Sequence, residues 1–268
     1  MAPQYEVSDG RILTWALEAH VVDHCNLRCA NCCTLSPELT AWFIDPRELR
    51  RDLERAKGAL RPHVFKLTGG EPLLHPELLS CLDAVRASGI SERISVTTNG
   101  LLLPAMPDLL FERIDRLTVS HYSSAPLPVA LLTRTAERCE RHGVLLTVKA
   151  IARFQRMDAF PAQPHAAAAS VFASCWLRLR CHMLRRGRFY LCTRPPHLAD
   201  RLAARGVAHG IGEDDGVELR EPRLLPRLLA YLEREEPLAA CRFCLGASGE
   251  WAEHRQLPRE ARASIPAP

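Results

Sequence analysis

Between residues 13 and 152, short apolar runs alternate with stretches of helical periodicity, and this rhythm restricts the fold more than any other feature of the chain. Strands are expected at 14–22, 64–68, 93–97, 114–120 and 144–151. Helices are expected at 46–60, with Asp45 as N-cap and Pro46 at the first helical position, at 76–88, closed by Gly89, and at 129–141, stopped by Gly143. Alternation of this kind implies βα units and a parallel sheet. Ligands of such sheets sit at the C-terminal ends of the strands, so the residues just after each strand are the candidates for function. Beyond 152 the rhythm changes. Residues 160–169 are rich in Pro and Ala and read either as a linker or as a helix start. Residues 188–192 read as a strand after the turn residue Gly187, consistent with a small hairpin, and 224–235 as a helix. Residues 255–268 have too little apolar content to pack strongly and are expected to form a flexible tail.

The 268 residues are 47% apolar and 25% charged, which suits one large domain or a domain with a small appendage. Thirty-five Lys and Arg against 31 Asp and Glu leave +4. That charge is too mild to announce a nucleic-acid or membrane partner, and no run of about 18 apolar residues suggests a span. The first ten residues lack the basic and apolar blocks of a signal peptide, so a cytoplasmic protein is expected.

Eleven cysteines do not fit an ordinary cytoplasmic enzyme. Disulfides rarely persist in a reducing compartment, so clustered cysteines there point to metal or redox chemistry. Cys25, Cys29 and Cys32 follow the first strand. Thiolates at this spacing on a loop can converge on one metal centre and leave its fourth position open, and spacing alone leaves iron–sulfur and zinc both possible.

C-x3-C-x2-C after the first strand resembles the signature of the radical S-adenosylmethionine (SAM) superfamily, whose three cysteines hold a [4Fe-4S] cluster. Thr68-Gly69-Gly70-Glu71-Pro72 after the second strand looks like that family's GGEP element, whose backbone and glutamate receive the methionine amino group. Thr97-Thr98-Asn99-Gly100 after the third strand is similar to the segment near the ribose. Glycines let backbone approach a ligand closely, and a carboxylate can pair with its ammonium. One departure stands out: the residue before the third cysteine is usually aromatic in the family but is Asn31 here. Cys33 reads as a bystander thiol.

Cys175-x11-Gly187-x4-Cys192 and, 48 residues on, Cys241-x2-Cys244 resemble the C-terminal extension called SPASM or, when shortened, twitch. That resemblance implies an auxiliary [4Fe-4S] cluster on Cys175, Cys192, Cys241 and Cys244, carried by a hairpin and the start of a helix. Cys181 falls outside the register. A closed four-cysteine zinc site is the alternative.

The implied fold is α/β, a partial (β/α)6 barrel of the TIM type over residues 1–160, followed by a twitch-like domain over 161–254. The implied chemistry is reductive cleavage of SAM, fed by an external electron donor of flavodoxin or ferredoxin type, to a radical that removes a hydrogen atom from substrate. The cysteine layout looks most like twitch enzymes that oxidise a secondary alcohol in aminocyclitol antibiotic pathways. A sugar, aminocyclitol or nucleoside is therefore the expected small-molecule substrate. Sulfur insertion, peptide modification, and a redox-sensing scaffold are the other readings. Ser120, His121 and Tyr122 at the end of the fourth strand and Lys149 on the fifth are the candidates for SAM or substrate contacts, although His121 and Tyr122 read equally well as half-buried loop residues. His20 and Lys66, inside strands, face either a polar lumen or an edge.

Overall fold

The computed structural model describes residues 5–258. Eleven strands and eight helices follow one another as β1 Val7–Ser8, β2 Arg11–Val22, α1 Pro46–Ala56, β3 Leu60–Gly69, α2 Leu78–Ser88, β4 Ile94–Thr98, α3 Leu109–Glu112, β5 Arg116–Tyr122, α4 Val129–Arg141, β6 Leu145–Ile151, β7 Arg153–Gln155, α5 His165–Ser174, α6 Leu177–Arg180, β8 Met183–Arg185, β9 Arg188–Tyr190, α7 Arg194–Ala204, β10 Val217–Glu218, α8 Leu224–Leu232 and β11 Trp251–Glu253. The first helix begins where its cap predicts: Asp45 accepts the N–H of Arg47 at 2.7 Å, with Pro46 in the first turn. It stops at Ala56 rather than at residue 60, because Leu60 already belongs to the next strand.

β2, β3, β4, β5 and β6 lie side by side and parallel, and β8 joins the other edge of β2, also parallel. β9 and β10 extend that edge antiparallel. The sheet is thus an open, partial barrel rather than a closed one, as expected. It also runs across the boundary expected at residue 160, since β8 hydrogen-bonds into the sheet of the N-terminal part. α1 and α2 bury Leu49, Leu53, Leu82 and Val85 against the outer face. Each such side chain contributes about 1.5–3 kcal/mol by leaving water.

Register fixes which residues face the lumen. Glu18 pairs with Lys66, Lys66 with Ser95, Ser95 with Arg116, and His20 with Thr68. Thr97 pairs with Thr118, Thr118 with Thr147, and Ser120 with Lys149. Because side chains alternate along a strand, these residues share the face that carries Thr68, Thr97, Ser120 and Tyr122 into the mouth cavity. His20 and Lys66 are therefore lumen residues. Residues 255–258 do not hang free: Ala30 N–H bonds Arg255 O at 2.9 Å, and Leu257 N–H bonds Arg28 O at 2.7 Å. The expected tail corrects to a strap across the first cysteine loop, held by backbone pairing rather than apolar packing. Residues 259–268 lie outside the described residues.

Candidate active site

The loop from Asp23 to Ile44 leaves the C-terminal end of β2 and carries Cys25, Cys29 and Cys32. All three thiols line one cavity of about 250 Å³, together with Gly69, Gly70, Thr98 and Asn99 from the two neighbouring strand ends. Three strand ends thus meet as the sequence spacing predicts, through contacts that can be named. Gly70 N–H donates to Val22 O at 2.7 Å and Glu71 N–H to His24 O at 3.1 Å, which stitches the glycine turn onto the start of the cysteine loop. A Cβ at Gly70 would stand 2.0 Å from His24 O, and one at Gly69, whose φ is +129°, would stand 2.2 Å from Val22 O. Both glycines are required by this loop-on-loop contact.

Glu71 is fully buried, and both of its carboxylate oxygens are taken by the protein. Oε1 accepts Leu73 N–H at 2.9 Å and Thr98 Oγ1–H at 2.7 Å, and Oε2 accepts Asn99 N–H at 2.8 Å. Burial pushes its carboxyl above the usual range, against the pull of these three donors. Through these bonds Glu71 ties the glycine turn to β4, and neither it nor Pro72, which opens the next turn and is buried, is part of this cavity's lining. Asn99 continues the tie by donating Nδ2–H to Asn26 Oδ1 at 2.6 Å and pointing it at Cys25 Sγ, 3.6 Å away.

The thiols are unequal. Burial pushes Cys25 up to about 12 and Cys29 to about 11. N–H donors already reach two of the sulfurs: Leu27 N–H to Cys25 Sγ at 3.3 Å and Gln256 Nε2–H to Cys29 Sγ at 3.4 Å. Such donors favour a thiolate once a metal displaces its proton. Cys33 lines the same cavity, one residue past the triad.

On the far wall, Ser120 and Tyr122 face the cavity, whereas His121 alternates to the opposite face of β5, off this cavity's lining. Lys149 sits on the lumen face beside Ser120, off the lining of this cavity. Sequence reasoning missed His254, which stacks on Tyr122 at 4.5 Å between centroids and bonds Ser124 Oγ at 2.8 Å, as well as Gln256. No local signal marks either, because each lies more than 100 residues from its partner.

A model of the radical SAM superfamily matches residues 20–158, the span that builds this cavity. The chain belongs to the radical SAM superfamily. As a radical SAM protein it takes a [4Fe-4S] cluster and SAM, and the three thiols around one cavity, with glycine backbone and Asn99 beside them, suit that pair. Among curated relatives, a GTP 3',8-cyclase of Microcystis aeruginosa (strain NIES-843 / IAM M-2473) is 32% identical over 117 residues, 41% of this chain and 35% of that one. The corresponding GTP 3',8-cyclase of Streptomyces coelicolor (strain ATCC BAA-471 / A3(2) / M145) is 33% identical over 150 residues, 54% of this chain and 42% of its own. The radical SAM chain thus spans well under half the length of these relatives. Among solved structures, BtrN in complex with AdoMet and 2-DOIA is similar in fold, with a TM-score of 0.54 at 16% identity, covering 89% of this chain and 96% of that one.

The radical SAM chain carries a second cysteine cavity. Cys175 caps α5, Cys192 follows β9, Cys241 lies in the short 3-10 helix Ala239–Phe243, and Cys244 ends it. All four line one cavity of about 30 Å³, and Cys181 does not. Gly246, with φ +51°, leaves 2.9 Å between a would-be Cβ and Cys175 Sγ, and its N–H donates to Cys244 Sγ at 3.3 Å. The β8–β9 hairpin turns through Arg186 and Gly187, both at positive φ, as a two-residue turn requires. Arg194, 3% exposed, stands at the cavity wall, paired with Asp158 and facing Cys244. It is a fixed cation beside four groups that become anionic on binding metal. Among the described residues no three His, Cys, Asp or Glu converge as ligands of a single ion. The sulfurs of each group surround a space instead.

Proposed function

We propose that the chain is a radical SAM enzyme that oxidises a secondary alcohol of a small polar substrate by two electrons, with an auxiliary [4Fe-4S] cluster on Cys175, Cys192, Cys241 and Cys244. The single observation that carries this reading is the pairing of two cysteine-lined cavities on one sheet, an open one of about 250 Å³ and a tight one of about 30 Å³. When bound, the first cluster and SAM supply a radical that takes one hydrogen atom from the carbinol carbon. The alcohol must then lose one proton and one electron to become a carbonyl. Glu18, on the lumen face, is suited to the proton: its Oε1 lies 3.3 Å from His20 Nε2, and His20 Nδ1 lies 2.8 Å from His197 Nε2, a buried line of three titratable groups. The four-thiol cavity is the site for the electron. Ser95, Thr97, Thr118 and Thr147 give the lumen a row of hydroxyls that suits a polyol rather than an apolar ligand. The fold shared with BtrN over 89% of this chain supports the same reading, since that protein was captured with AdoMet and 2-DOIA.

Cyclisation of a nucleotide is the second reading, favoured by the identity to GTP 3',8-cyclases, which is confined to 54% of this chain or less. Anaerobic reconstitution with iron, sulfide, SAM and dithionite separates the outcomes. The expected result is about eight irons per chain and release of 5′-deoxyadenosine. Cys29→Ala abolishes the 5′-deoxyadenosine, whereas Cys244→Ala keeps it and loses the oxidised product. Loss of nothing in Cys29→Ala, or about four irons with one zinc in the wild type, overturns the respective half of the proposal.

A further inference from the structure

The radical SAM reading requires one electron from outside, and an arginine-rich surface beside the cysteine loop bears on where its carrier docks. α1 leaves the cysteine loop with Arg47, Arg50 and Arg51 at spacings of three and four residues, so all three project from one exposed face. They form no ion pair among the described residues. The acid on the same face, Glu54, is engaged by Lys57 at 2.5 Å, and Arg55 leans on Asp52 at 3.8 Å. Arg47 is shared by two contiguous grooves, one along α1 and one floored by Phe43 and His75. Asp45 and Glu77 border the second groove, but Asp45 is occupied in capping α1.

Phe43 adjoins the start of the cysteine loop. It is 39% exposed, an unusual position for an aromatic ring flanked by arginines. Its inner edge meets the ring of His24 at 4.8 Å and that of His75 at 5.4 Å, both T-shaped. His24 precedes Cys25. Phe43 also bridges to Val22, so it is part of the wall of the cysteine loop rather than a loose surface residue.

We infer that the Phe43 and Arg47–Arg50–Arg51 surface is the docking site of an acidic one-electron protein donor of the flavodoxin or ferredoxin class. Charge complementarity selects the partner, since three unpaired guanidiniums steer and orient an anionic surface. The ring of Phe43 gives an apolar centre to the contact, as interfaces of transient partners commonly have. In the step it serves, the reduced donor gives up one electron, the cluster on Cys25, Cys29 and Cys32 gains it, and no bond or proton changes hands. The inference rests on the radical SAM chemistry of the first cavity and is independent of the substrate.

The test uses the full reconstituted chain with two reductants, an acidic bacterial flavodoxin kept reduced by its reductase, and dithionite. Production of 5′-deoxyadenosine driven by flavodoxin should fall about tenfold or more in the Arg47→Glu, Arg50→Glu, Arg51→Glu triple variant, with the dithionite-driven rate unchanged. Titration of oxidised flavodoxin into the variant should show matching loss of binding by calorimetry. In the wild type, raising salt from about 0.05 M to about 0.3 M should slow the flavodoxin reaction and leave the dithionite reaction flat. Equal flavodoxin rates in wild type and triple variant overturn the proposal. If the variant also loses dithionite activity, the wild-type salt series decides alone, and a flat flavodoxin response overturns it. Absence of 5′-deoxyadenosine with dithionite in the wild type is instead a failure of the radical SAM reading.

Discussion

The two cysteine cavities are built by opposite means. The first takes its three thiols from a single loop of eight residues and is walled by backbone from two other strand ends, which leaves about 250 Å³ between them. The second takes one thiol from each of three separate segments and a fourth from the residue ending the last, around about 30 Å³. A single loop can present sulfurs while keeping its open side for a ligand. Segments brought together from distant parts of a chain enclose their contents. The contrast is between an open space with room for a ligand and a tight one enclosed by its sulfurs.

The sharpest break of this comparison is a change in one cavity that spares the other. Cys192→Ala should remove about four irons and leave the iron held at Cys25, Cys29 and Cys32, read by iron analysis and by the remaining spectroscopic signal. Loss of all iron would mean that the cavities assemble as one. Next in size is Gly70→Ala, whose new methyl would stand 2.0 Å from His24 O. It should cost about 3 kcal/mol or more in chemical denaturation of the apo chain, because backbone must shift. Gly246→Ala meets a sulfur at 2.9 Å and should cost less while impairing iron uptake at the second cavity only.

Acid separates the regions more gently. His182 is buried between Tyr5 and the carbonyl of Leu191, and burial depresses it to about 4 from 6.5. Burial pushes His197 down as well, assisted by His20 and the nearby arginines. Between these limits the unfolded imidazoles bind protons that the folded ones do not, so their contribution to stability is full above about pH 6.5 and is lost as pH drops toward 4. Denaturation midpoints over that window check it, and His182→Gln should flatten the slope. The smallest effect belongs to Gln256→Ala, which removes one N–H donor from Cys29. A shift of the first cluster to more negative potential is expected, measured by redox titration, with iron content unchanged.

Local chemistry made the βα portion legible. α4 is read to the residue, since Pro128 precedes it and Gly143 follows it. β3 is read four residues short at its start and one at its end, the former because Arg61, Pro62 and His63 look unlike a strand. Pro62 is tolerated where β3 pairs only with β2, before β4 begins alongside at Phe65. The triad, Gly69, Gly70 and Asn99 come together as their spacing predicts. The partners of Glu71 within the protein could not be read from sequence, because they depend on how the loops around it fold. The facing of His121 was hidden for a simpler reason: in a strand that ends two residues later than expected, its neighbours Ser120 and Tyr122 take the inner face.

The strap at residues 255–258 bears on how the protein comes to exist in a cell. Cys29 and Gln256 bridge 227 residues of chain. During synthesis the cysteine loop emerges early, yet the hydrogen bonds that shape its outer side wait for residues 227 positions further along the chain. Cluster insertion before residues 255–257 have been made would therefore meet a loop only half fastened.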